Sequence, residues 1–216
     1  MPTSSEQLNI PTAANRRPAP YVWATWLADF IASDVPCRAK LVARALYLNL
    51  PKGDGVPPAW HIEHAELVEQ LRAEDERDLA VVQTEVPIKV DVGGITIAGK
   101  MDVRSEWAPS GRVVVKDAKT GGQRVSDQVQ VLLYQHMEVV SGRTEAEKVS
   151  GELVYKDGTV HQVPYSWWQE PAVQRRLTKA LDAIRAESLE VAPSRNNCIF
   201  CPLESFCHVA WAEEAA

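Results

Sequence analysis

Asp102, Asp117 and Lys119 are the residues of this 216-residue chain whose types and spacing could do chemistry together. Asp117-Ala118-Lys119 ends the strand-like run Val113-Val114-Val115. Alternation along an extended strand puts Asp117 and Lys119 on one face, while Ala118 points away. Asp102 closes an apolar-alternating segment just upstream. Two carboxylates and an ammonium that converge are the minimal equipment for holding a divalent cation and activating a water beside it. Hard oxygen ligands suit Mg²⁺ or Mn²⁺, and an ammonium nearby offsets negative charge that develops on an oxyanion.

Cysteine supplies a second constellation. Three of the four cysteines, Cys198, Cys201 and Cys207, fall close together near the end, and Cys37 stands far upstream. With no secretory leader in view, a disulfide framework is not expected, and metal or cluster ligation leads. Four thiolates suit either an iron-sulfur cubane or zinc. A shared site would tie the segment near Cys37 to the segment near Cys201 across a very long loop, so it would be structural for the whole unit.

The elements that must position these groups are legible from periodicity. Residues 1–20 lack apolar period and read as a flexible tail. From Tyr21, the spacing of Trp23, Trp26, Leu27, Phe30 and Ile31 predicts an amphipathic helix that stops before Pro36, and Arg38 to Leu50 reads as helical again. Pro51 to Pro58 is a loop, and Ala59 to Ala80 is a helix with a charged outer face that carries His61 and His64. Glu85 to Val92 and Ile95 to Arg104 predict a hairpin at Gly93-Gly94, and Arg112 to Lys119 a third strand. A helix over Ser126 to Val140, a hairpin around Asp157-Gly158 and a helix over Glu170 to Glu187 complete the order. This order suggests an α/β fold with a central mixed sheet flanked by helices, and a helical lobe built from both chain ends. The expected division is a tail over 1–20, an N-terminal helical region over 21–80, a core over 81–190 and a cysteine segment over 191–216.

Composition narrows the function. A hydrophobic share of 45% supports one filled core, and no apolar run is long enough to span a membrane, so a cytoplasmic protein is expected. A formal net charge of −6 argues against a broad basic surface for duplex DNA but allows a local basic groove. Trp167-Trp168 could stack on bases and Arg175-Arg176 could meet phosphate, although such pairs more often serve as core and as solvated helix face.

Gly99-x-x-Asp102, then Asp117-x-Lys119, then Gln130-x-x-x-Tyr134, in this order and spacing, resembles the PD-(D/E)XK nuclease superfamily and, within it, the RecB-like branch. Met101 stands where the superfamily name has proline. The resemblance covers about Tyr21 to Trp211 and implies a restriction-endonuclease-like core. It implies Asp102 and Asp117 as metal ligands, the Ala118 carbonyl as a further ligand, Lys119 at the water or phosphate, and Gln130 and Tyr134 as positioning residues. It also implies a metal-ligand histidine on the upstream helix. His64 is favoured over His61 because the following AELVEQL resembles the relatives there, although their usual glycine is missing.

The split cysteine set resembles the iron-sulfur CRISPR-associated adaptation nucleases and the AddB nuclease domain, which implies a 4Fe-4S cluster on Cys37, Cys198, Cys201 and Cys207, with structural zinc as the alternative. The implied activity is metal-dependent hydrolysis of DNA, on single strands or overhanging ends, in CRISPR spacer-precursor processing beside an integrase complex. A phage or mobile-element recombination or repair exonuclease is the alternative, and a non-catalytic iron-sulfur or zinc DNA-binding module is the rival from another class. No G-x-x-x-x-G-K-[ST] occurs, so ATP-driven strand opening would need a partner.

Overall fold

The computed structural model describes residues 15–50, 58–198 and 201–209. The expected tail lies outside the described residues as far as residue 14, as do residues 51–57 of the expected loop and the chain end from residue 210. Asn15–Arg16 (β1) pairs antiparallel with Tyr47–Leu48 (β3), so the tail's last part is tied down by backbone bonds.

The main sheet is six-stranded and mixed, in the order β2-β5-β6-β7-β8 with β4 beside β5. Its strands are Tyr21–Trp23 (β2), Val81–Asp91 (β4), Thr96–Trp107 (β5), Arg112–Lys119 (β6), Val149–Tyr155 (β7) and Val160–Val163 (β8). The β4–β5 hairpin turns at Gly93 and Gly94, both at positive φ, where a side chain would be strained. Strand β2 corrects the expectation of unbroken helix from Tyr21: the helix α1 starts only at Ala24 and runs to Ala32. The three residues before it pair in parallel with Thr96, Ile97 and Ala98. Helical spacing cannot reveal a three-residue strand whose partner lies some 75 positions away.

Helices α1, Val125–Val140 (α4) and Pro171–Arg185 (α5), with Arg38–Leu46 (α2), bury one face of the sheet, where Leu27, Met101, Val115, Leu133, Leu153 and Ile184 form the main core. The other face is covered by Pro58–Arg77 (α3), whose Leu67, Val68 and Leu71 pack on Val82, Val103, Ala118 and Val154. Strand β6 shows the alternation plainly, with Val113 and Val115 on the main core and Ala118 on the α3 side.

Two local features of β5 place the site. Its one edge pairs with β4 throughout, but the other edge is shared: β2 takes residues 96–98 and β6 takes residues 103–107. Among the described residues, no strand pairs with residues 99–102 on that edge. In addition, β4 and β5 exchange faces at one register. Val82 and Val103 meet α3, whereas Val86 and Met101 meet the main core. Thr84 pairs with Val103 and Val86 with Met101, so Glu85 and Asp102 stand opposite each other at the exchange, and Glu85 carries it with a φ of 55°.

Candidate active site

Gly99 to Asp102 occupies the open stretch of the β5 edge, and each end of it has a defined job. A Cβ at Gly99 would lie 2.3 Å from Cε1 of Tyr134, so only glycine lets the tyrosine ring of α4 settle on the strand. At the other end, Asp102 Oδ2 accepts a 2.8 Å hydrogen bond from the Ala118 backbone N–H. The carboxylate thus satisfies a buried β6 donor just past the last β5–β6 pair.

Asp117 is 1% exposed on the main-core face of β6, beneath α4. Its Oδ1 accepts from Gln130 Nε2 at 3.1 Å, and its Oδ2 lies 2.5 Å from Lys119 Nζ. Gln130 Nε2 also donates to the Tyr134 hydroxyl at 3.1 Å, and Gln130 Oε1 lies 3.4 Å from Lys119 Nζ. Gln130 and Tyr134, one helical turn apart, therefore hold the acid and the lysine from above. Asp127, also on α4, is 3.9 Å from Lys119 Nζ. Burial pushes the Asp117 carboxyl up to about 7, against the pull of the Lys119 ammonium. Burial works to lower Lys119, but the Asp117 carboxylate outweighs it and holds the ammonium above its usual value. Burial likewise raises the Tyr134 phenol, which stays a neutral donor and acceptor.

Helix α3 brings His64 to the same place from the other face. His64 Nε2 is 3.2 Å from Asp102 Oδ2, and its ring stacks on Trp60 at 4.9 Å between centroids and 21°. The hydrogen bond to Asp102 raises the His64 pKa. Three turns further along α3, at about 3.6 residues per turn, Asp75 anchors the helix to the sheet. It accepts from Ser105 Oγ at 2.6 Å and from Lys116 Nζ at 2.7 Å. His61 is exposed and touches only the Trp60 edge among the ring contacts, so the turn that carries His64 inward carries His61 away from Asp102.

His64, Glu85 and Asp102 form the group with metal-ligand geometry among the described residues, each offering one atom within 4.8 Å of the others. One imidazole and two carboxylates fit Mn²⁺ or Mg²⁺ in donor chemistry. Sequence reasoning missed Glu85. Its signal was an acid in a strand at the position that pairs with Asp102 once the hairpin register is counted out from Gly93-Gly94. Asp117, expected beside Asp102, is engaged with Lys119 and Gln130 instead, and Glu85 is paired with Lys100.

Cys37, Cys198, Cys201 and Cys207 all line one small cavity and form no disulfide. Asn197, also missed, fastens the two segments: its Nδ2 donates to Val35 O and Ala192 O at 2.8 Å each. Lys40 Nζ of α2 donates to Asn197 O at 2.9 Å. Trp168 is buried and stacked on His136 at 3.7 Å and 17°, and Arg176 donates to Ile31 O and pairs with Asp34. Both are structural here, whereas Trp167 is partly buried against the core and Arg175 is exposed.

A deep carboxylate–lysine pair on one strand end, an upstream acid in the open edge of the neighbouring strand and a helix that clamps both define a nuclease core. The family model of the PD-(D/E)XK nuclease superfamily matches residues 26–208, and the chain belongs to that superfamily. Among solved structures, SSO0001 aligns with a TM-score of 0.56 at 16% identity, over 92% of this chain and 91% of that one, which shows a shared fold. A candidate exonuclease from Eubacterium rectale aligns at TM-score 0.45 and 14% identity over 80% and 83% of the two chains. LHK-Exo in complex with dAMP aligns at 0.46 and 16% over 77% and 88%. No curated protein matches the sequence. No helix among the described residues is long and apolar enough to cross a membrane.

Proposed function

We propose that this nuclease is a DNA-directed phosphodiesterase of the RecB-like branch, dependent on Mn²⁺ or Mg²⁺ and acting on single-stranded DNA or DNA ends. The observation that carries it is the convergence of Asp102, Asp117, Lys119, Gln130 and Tyr134, with His64 and Glu85 closing the group from the α3 side. His64, Glu85 and Asp102 would hold the cation, with Asp117 and the Ala118 carbonyl as the further ligands that the family pattern supplies. A bound divalent cation provides positive charge for the phosphate oxygens and acidity for a water. Lys119 offers its ammonium to the phosphate or to the attacking water, where charge develops. Gln130, held by the Tyr134 hydroxyl, reaches both Asp117 and Lys119 and would keep them in place, so little reorganisation accompanies the reaction. Burial favours the protonated form of Asp117, so its ionisation would accompany loading of a cation that it ligates.

Cleavage of a labelled oligonucleotide in Mn²⁺ or Mg²⁺, and its loss by a factor of about 10² or more in Lys119→Ala, is the expected result. Equal activity in the two proteins refutes the assignment.

The four cysteines are proposed to hold a 4Fe-4S cluster rather than zinc. Their common cavity supports ligation, as do the Lys40 and Arg44 cations, which oppose the upward push that burial gives the Cys201 thiol. Protein purified without oxygen is then brown and contains iron. Colourless protein with stoichiometric zinc overturns the cluster and leaves the nuclease standing. A role in CRISPR spacer-precursor processing beside an integrase, with recombination or repair as the alternative, follows from the resemblance of the split cysteine set alone.

A further inference from the structure

Beyond the face exchange, the α3 side of the sheet changes character. Where α3 packs, that face holds Val82, Val103, Ala118 and Val154. Past Glu85 and Asp102 it carries Pro87, Lys89 and Asp91 of β4, Thr96, Ala98 and Lys100 of β5, and Tyr21 and Trp23 of β2. Val22 between the last two points into the main core, and the register aligns Lys89, Ala98 and Trp23 in one row across three strands. Lys89, Lys100 and Trp23 are exposed, Trp23 at 37%.

These residues are organised as an aromatic and cationic surface. Tyr21 and Trp23 meet edge to face at 5.8 Å, Arg17 Cζ lies 5.3 Å from the Tyr21 ring centre and Lys89 Nζ lies 6.0 Å from it. The buried Arg17 Nε has no hydrogen-bond partner among the described residues. Lys100 is ion-paired with Glu85, so the surface runs directly into the carboxylate group of the site. Asp91 is the one acid at its far end, and it is turned to the Gly94 backbone N–H at 3.1 Å. Two cations beside the Tyr21 ring, with Lys100 on the same face, stand out on a chain of net charge −6, and they complement a phosphate backbone.

We propose that this face seats the single-stranded segment of the nucleic-acid substrate next to the scissile phosphate, with a base stacked on Trp23 and phosphates met by Arg17, Lys89 and Lys100. The proposal rests on the nuclease reading and adds to it where the substrate lies and why it is single-stranded. Bases within a duplex are already stacked on each other, whereas an unpaired base offers its ring to an aromatic side chain. Ala98 lies four residues from Asp102, about 13 Å along an extended strand, a reach of a few nucleotides.

The test is anisotropy of a labelled oligothymidylate and of a blunt duplex against the full chain, without added divalent cation, for Trp23→Ala, Trp23→Phe and Lys89→Glu. Trp23→Ala weakens oligothymidylate binding about tenfold and Trp23→Phe far less, while duplex binding is little changed. Lys89→Glu lowers the slope of log affinity against log salt by about one. Unchanged oligothymidylate affinity in Trp23→Ala, or an equal loss on duplex, overturns the proposal. Should Trp23→Ala fail to fold, the salt slope of Lys89→Glu decides, because that side chain is exposed; an unchanged slope refutes. Binding is read without cleavage, so inactive protein that still depends on Trp23 sinks the nuclease reading alone. Active protein whose variants bind normally sinks only this one.

Discussion

Lys116 and Lys119 lie three residues apart on β6, each paired with a buried aspartate, yet the two pairs face opposite sides of the sheet and are completed differently. Lys116 faces α3 and meets Asp75 at 2.7 Å and Glu152 at 3.3 Å, while Ser105 supplies the second bond to Asp75. Both Asp75 oxygens are thereby used. Lys119 faces α4, and the Asp117 oxygen it approaches has no aligned hydrogen bond among the described residues. Burial has driven that acid up to about 7. A closed pair fastens elements together, whereas an unfinished one beside an open strand edge is equipment for binding and chemistry.

The largest effect expected from this contrast is on stability. Lys116→Met strands Asp75 in the interior and costs about 3–5 kcal/mol in denaturant unfolding. The paired change Asp117→Asn with Lys119→Met removes both partners at the other site and is expected to be neutral, or stabilising by up to about 2 kcal/mol, while cleavage is lost. A double variant as unstable as Lys116→Met would erase the distinction.

Gly99→Ala probes the clamp over the unfinished pair. The added methyl drives the Tyr134 ring away, with an expected loss of about 1–3 kcal/mol and a fall in turnover, since Gln130 moves with its partner. Wild-type melting and turnover in this variant would show that the ring needs no glycine beneath it.

The smallest effect is a proton linkage. Asp117 is raised in the folded protein, so below about 7 it is protonated and must release that proton when a cation that it ligates is loaded. Apparent Mn²⁺ affinity should fall by up to about tenfold per pH unit, 1.4 kcal/mol, as pH drops below 7. The same carboxyl stays protonated in the fold where the unfolded chain would ionise, so its contribution to metal-free stability is greatest below the unfolded value of 3.8 and is lost as pH rises towards 7. Titration of Mn²⁺ at several pH values measures the slope, and a flat line removes Asp117 from the cation's ligands. Lys116→Met should leave the slope intact.

Alternation alone established that Asp117 and Lys119 share a face, because a strand has only two faces and a period of two. Turn chemistry at Gly93-Gly94 established the hairpin that carries Asp102, and the charged helix ahead of it was evident from composition and period. Tertiary structure decided the rest. Helical spacing offered both His61 and His64, and only the docking of α3 through Leu67, Val68, Leu71 and Asp75 determines which one turns to Asp102. Trp168 reads like a stacking residue until the fold buries it on His136, whereas Trp23, taken for a helix residue, is left exposed on a strand. Glu85 joins the site because two strands exchange faces at its register. That exchange falls beside the gap between β2 and β6 on the β5 edge, and such a coincidence of three strands is written in none of them singly.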